Sequence, residues 1–179
     1  MGSEMCIRDS NTPDAGEIRL NGTRISNQTK SIAAKHRRLD FGYVFQHFNL
    51  IPVLSALENI ELSLHGHLSN SKARREAALA ALEQVGLQDY AKRRPGQLSG
   101  GQQQRVGLAR AIVRKPKVMI ADEPTANLDQ DTRDSVLSLI RELSDVHGQT
   151  VLMSTHDSAV SELATRRFQI DRGILQEIN

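Results

Sequence analysis

Four polar stretches can do chemistry in this chain: Gln46 after FGYVF, Asp122 and Glu123 after KVMIA, His156 after TVLMST, and LSGGQQQR at 98–105. The first three close apolar runs of strand character, and open α/β sheets bind ligands at the carboxyl ends of their strands. Two acids ending an apolar strand need a cation or a helix end nearby, because an unpaired buried charge costs several kcal/mol. Successive strand side chains point to opposite faces, so Asp122 and Glu123 need not share one proton. Asp122 can hold Mg²⁺, directly or through water, and Gln46 can add its amide oxygen, since hard cations prefer oxygen. Glu123 can then activate an attacking water as general base, an effect of ~10²–10⁴-fold, and His156 can donate to a γ-phosphate oxygen. These are the parts of a nucleotide hydrolase. In LSGG, Gly100 and Gly101 let a backbone approach a phosphate, and the following helix aims its free N–H groups there. Ser99 supplies a hydroxyl or an N-cap. Each part also has a plainer reading: a loop glutamine, a hydrogen-bonded histidine, a capped turn between helices.

The elements that must position these groups follow from the pattern. GEIRLNGTRI (16–25) alternates around Asn21-Gly22, the pair favoured in type I′ hairpin turns. A short basic helix is expected over 30–38, a strand over 41–45, and a helix from about Ser55 after the break at Pro52. SKARREAALAALEQVG (71–86) reads as a helix with Ser71 as cap and Gly86 as stop. A helix from Gln102 to about Arg114, a buried strand over 117–124 and an amphipathic helix through Val136, Leu139, Ile140 and Leu143 follow. A second buried strand (150–155), a helix and a strand–turn–strand (168–176) close the chain. This order predicts an α/β fold with a mostly parallel central sheet.

Composition narrows the rest. In 179 residues, hydrophobic residues make up 39% and charged residues 25%, as in ordinary globular proteins. Aromatics at 3% and a net charge of +2 argue against nucleic acid as a partner. One cysteine, Cys6, cannot form an internal disulfide. No apolar run approaches the roughly 18 residues of a membrane span, so membrane association needs a partner.

Together the motifs resemble the nucleotide-binding domain of ATP-binding cassette (ABC) proteins. LSGGQ (98–102) looks like the family signature, VMIADEP (118–124) like the Walker B strand with its catalytic glutamate, and ANLD (126–129) like the D-loop. Gln46 looks like the Q-loop glutamine and His156 like the switch histidine. The resemblance implies a P-loop NTPase-like sheet with an antiparallel β edge and a helical signature subdomain near 65–115. It also implies ATP and Mg as ligands and two domains sandwiching two ATPs. Leu98, Ser99, Gly100, Gly101 and Gln102 would then close over the partner's ATP, and Asp129 would couple the two sites. Gln46 and its loop would sense transmembrane permease subunits. FQHFNLIPVLSALENIEL and ADEPTANLD look like cassettes of lipoprotein release and macrolide-type export, placing the chain on the cytoplasmic face of a bacterial inner membrane. A soluble ABC ATPase acting on ribosomes or DNA, or a non-catalytic cassette, are the alternatives.

One family motif has no counterpart. Nothing matches G-x-x-x-x-G-K-[ST], the Walker A loop whose backbone and lysine hold the β- and γ-phosphates. The expectation is a partial ABC domain over 11–179, lacking the first P-loop strand and helix, preceded by a non-native or disordered leader (1–10). Such a domain should expose apolar surface along a frayed sheet and be inactive alone.

Overall fold

The computed structural model describes residues 13–178. The expected leader lies outside them. Asn21 (φ 48°) and Gly22 (φ 79°) make the left-handed pair of a type I′ turn. That turn joins strand β1 (Arg19–Leu20) to β2 (Thr23–Arg24) as the hairpin read from the sequence. Helix α1 (Lys30–Asp40), capped by Thr29, runs directly into β3 (Phe41–Val44).

Three strands form the central sheet in the order β3-β4-β5, all parallel, with β4 at Val118–Asp122 and β5 at Thr150–Ser154. The two crossovers are helical, as parallel neighbours require. Between β3 and β4 lie α2 (Ala56–Ser63), α3 (Ser71–Gln84) and α4 (Gly100–Ile112). Between β4 and β5 lies α5 (Gln130–His147), stopped by left-handed Gly148. The sheet is therefore α/β and parallel, as its apolar runs predict. Both hairpins, however, stand as separate two-stranded sheets among the described residues rather than as edges of the central one.

The core gathers on the helical side. Ile60 and Leu64, Leu82 and Val85, Val106 and Leu108, Met119 and Val136 are all buried together. Gly42 explains how α4 comes so close to β3: a Cβ there would stand 2.5 Å from the Ala111 carbonyl oxygen. Local capping fixes the helix starts. Ser55 and Glu58 form a capping box on α2. On α3 the cap is Asn70, whose Oδ1 accepts from the Lys72 and Ala73 amides, rather than the expected Ser71. Helix α4 begins at Gly100, two residues before the sequence pattern placed it.

The remaining side differs. β4 is buried through Met119, Ile120 and Ala121, but β5 is only half-buried, where its apolar sequence predicted full burial. After the single-turn α6 (Ser158–Ser161), the antiparallel pair β6 (Arg167–Asp171) and β7 (Ile174–Ile178) is exposed along nearly its whole length. Phe168, Ile170, Ile174 and Leu175 all face solvent.

Candidate nucleotide site

The parallel register sets Asp122 opposite Ser154, so the ends of β4 and β5 are level. Glu123, the next residue, leaves the strand with φ 42°. A non-glycine residue in the left-handed region costs on the order of 1 kcal/mol and persists only when its surroundings hold it. Here the Glu123 amide donates to the Ser154 carbonyl (3.2 Å) and is also shared with Ser154 Oγ (3.1 Å). The same hydroxyl donates to Asp122 Oδ1 at 2.8 Å. One serine thus orients both acids, spending its single proton on Asp122 and a lone pair on the Glu123 amide. The two carboxylates have separate partners, in keeping with separate tasks.

Glu123 Oε1 accepts from His156 Nδ1 at 3.0 Å, a pair that sits largely in solvent, the histidine side chain being 76% exposed. A carboxylate can only accept, so Nδ1 carries the proton in this contact and Nε2 points away. For Nε2 to donate to a phosphate, the ring must be doubly protonated or turn from Glu123. Beside the pair is a cleft of about 140 Å³ lined by Glu123, Thr125, Leu128, Arg133, Thr155 and Asp157. That is well below the ~300–1,000 Å³ of an enclosing ligand pocket. Arg133 closes one side by ion-pairing Asp157 at 2.9 Å.

Gln46 follows β3 on the same edge. Its backbone carbonyl accepts from Asn127 Nδ2 at 3.1 Å, and Asn127 also meets His47 Nδ1 at 3.4 Å. Gln46 is thereby tied to the loop after the acids. Its side-chain amide has no partner among the described residues. Asp129, two residues on, caps α5 by accepting from the Thr132 amide at 3.1 Å. The Thr132 hydrogen bonds hold its carboxyl below the ordinary range.

LSGGQ divides into an inner and an outer part. Leu98 is buried in the core, and Gly101 is buried against α5, where a Cβ would meet Thr132 Cγ2 at 2.2 Å. Ser99 and Gln102 are occupied with each other: Ser99 Oγ accepts from the Gln102 amide (3.2 Å) and Gln102 Oε1 from the Ser99 amide (3.0 Å). The capped turn between helices is therefore realised. It leaves Gly100, half-buried, at the first position of α4, where the helix's free N–H groups and positive dipole end favour an anion.

The donor set fits Mg²⁺ in kind: an aspartate oxygen and an unengaged amide oxygen, both hard ligands. It does not make a closed metal cage, for no group of three or more His, Cys, Asp or Glu able to hold an ion occurs among the described residues. Phosphate oxygens and water would have to supply most of the coordination.

Comparison with known proteins decides the family. The ABC transporter family matches residues 5–126 of the chain. The chain belongs to that family. It is 40% identical to the lipoprotein-releasing system ATP-binding protein LolD 2 of Rhodopirellula baltica, over 92% of this chain and 67% of that protein. It is also 40% identical to the macrolide export ATP-binding/permease protein MacB of Syntrophobacter fumaroxidans, over 92% of this chain and 23% of that one. Among solved structures, the ATP-binding cassette MJ0796, dimeric and bound to ADP and Pi, superposes with a TM-score of 0.84 at 34% identity, covering 99% of this chain and 81% of that chain. The ABC chain is thus an ATP-binding component with the P-loop NTPase-like α/β fold its motifs implied. Ser154 is the site residue that sequence reasoning missed. Only the β4–β5 register, invisible in the sequence, sets its hydroxyl beside both acids.

Proposed function

We propose that this ABC chain is the ATP-binding subunit of a membrane exporter, and that it works through composite sites shared with a second cassette. In this reading Asp122 and Gln46 would hold Mg²⁺, which would supply charge shielding at the phosphates, and Glu123 takes the proton of the attacking water. His156 orients Glu123 and, once it turns or gains a proton, contacts the γ-phosphate side. Leu98 and Gly101 anchor the LSGGQ turn, while Ser99, Gly100 and Gln102 present it to the phosphate held by the partner, and Asp129 helps couple the two sites across the dimer. The observation carrying the reading is the strained Glu123, fixed by Ser154 at the mouth of a cleft too small to enclose a nucleotide by itself.

Export with transmembrane permease subunits is the part of this reading that the names of a lipoprotein-releasing and a macrolide export ATP-binding/permease protein support; in it the chain works at the cytoplasmic face of a bacterial inner membrane. No helix among the described residues is long and apolar enough to cross a membrane.

A mixing experiment tests this. The chain alone should release no phosphate from MgATP. Added to a cassette that has its own phosphate loop but a disabled signature serine, it should restore hydrolysis, and a Ser99→Arg version should not. Ordinary MgATP hydrolysis by the chain alone, abolished by Glu123→Gln, would overturn the composite-site reading.

A further inference from the structure

Two residues beyond Gln46, the backbone takes a conformation that its sequence does not favour. Phe48 (φ 60°) and Asn49 (φ 48°) are consecutive left-handed residues. Asparagine tolerates this region, but a bulky phenylalanine there is an outlier. Their carbonyls point the same way, and both are taken by one side chain from α4. Arg110 Nη2 donates to the Phe48 carbonyl at 2.8 Å, and Nη1 donates to the Asn49 carbonyl. No carboxylate among the described residues pairs with Arg110, so this fork of two donors is the guanidinium's engagement.

The same loop touches the other end of α4. The Phe48 ring lies 3.8 Å from where a Cβ on Gly100 would stand, and the Phe48 carbonyl lies 3.8 Å from the equivalent point on Gly107. Gly100 and Gly107 are seven residues apart, on one stripe of the helix. Phe48 therefore lies along that stripe, its backbone held near Arg110 and its ring against the LSGG turn.

We infer that Arg110 is a positioning residue that fastens the Gln46 loop to the helix bearing LSGG, so that the two move as one body. A displacement of Gln46 toward a ligand must then carry Gly100 with it. In the composite-site reading, Gln46 serves the nucleotide on its own chain and LSGG the one on the partner, so the clamp links the two sites. That consequence rests on the proposed function. The clamp itself does not, and it is tested without nucleotide.

Amide hydrogen exchange of the intact chain reads it directly. In Arg110→Met, residues 47–52 and residues 98–104 should both exchange roughly ten-fold faster or more relative to the core of α5 (136–143), the factor expected for losing charge-assisted hydrogen bonds. Arg110→Lys, which keeps the charge but has no fork, should recover part of the protection in both segments. Unchanged exchange at 98–104, with only the loop affected, overturns the coupling. A melting experiment on soluble variants gives an independent reading should Arg110→Met fold poorly. Asn49→Gly relieves the left-handed residue and should raise Tm in the parent, and raise it less in Arg110→Lys. An equal gain in both backgrounds overturns the clamp.

Discussion

The two halves of this ABC chain treat the same kind of residue in opposite ways. In the helical half, Ile60, Leu64, Leu82 and Leu108 are all but inaccessible to solvent. In the β6–β7 half, Phe168, Ile170, Ile174 and Leu175 are 46–62% exposed. Helices α2, α3 and α4 close a core against one another and against β3. The last hairpin is satisfied in its backbone ladder, but its apolar side chains stay exposed. Hydrogen bonding made both halves regular, and burial made only one of them a core. The catalytic candidates stand on the border, with Asp122 ending the buried strand, Glu123 just beyond it and His156 exposed.

The widest separation should come from truncating one large apolar residue in each half. Leu82→Ala should cost about 3 kcal/mol, as buried leucines do, whereas Ile174→Ala should stay within about 0.5 kcal/mol. Urea midpoints of the two variants measure the difference. Equal losses would show that the hairpin is as well packed as the helices.

A smaller contrast lies in the charges. Asp40, 8% exposed, is opposed by its burial, but hydrogen bonds from Lys117 (2.8 Å) and His36 (2.7 Å) outweigh that cost and hold its carboxyl below the ordinary value near 3.8. A depressed carboxylate adds stability that is fully present above its unfolded pKa and is lost as pH falls through the folded one. Asp40→Asn should therefore cost about 1 kcal/mol at neutral pH, and the gap should close only well below pH 3.8. In the other half, Glu177 pairs with Arg166 at 2.8 Å in open solvent. Glu177→Gln should leave the melting temperature unchanged, since exposed pairs contribute little.

The smallest effect has the opposite sign and sits on the border. Glu123→Asn should stabilise the fold by about 0.5 kcal/mol, because asparagine adopts the left-handed backbone more readily. It removes the proposed base at the same time. A loss of stability instead would show that the Glu123–His156 contact outweighs the backbone strain.

Much of this was legible in the chain. The Asn-Gly hairpin, the apolar runs of β3 and β4 and the stripe Val136, Leu139, Ile140 and Leu143 are local patterns, so their elements appear where the periodicity puts them. The motif order named the family. Reading failed once on a local tie and otherwise for non-local reasons. Asn70 rather than Ser71 caps α3, a choice between adjacent residues both able to cap. β5 has the composition of a fully buried strand, but its burial depends on what lies beside it. Ser154 is one hydroxyl among many until the register brings it to Asp122.

The sequence by itself determined which chemistry is available: two acids, a glutamine and a histidine at strand ends, and a glycine-rich helix start. Composition and period are properties of neighbours in the chain, so no fold was needed to see them. Tertiary structure alone decided that Glu123 is held in a strained backbone, that one serine serves both acids, and that Arg110 binds the Gln46 loop to the signature helix. Each of these joins residues at least 31 positions apart, and only packing of the strands and helix fixes such distances.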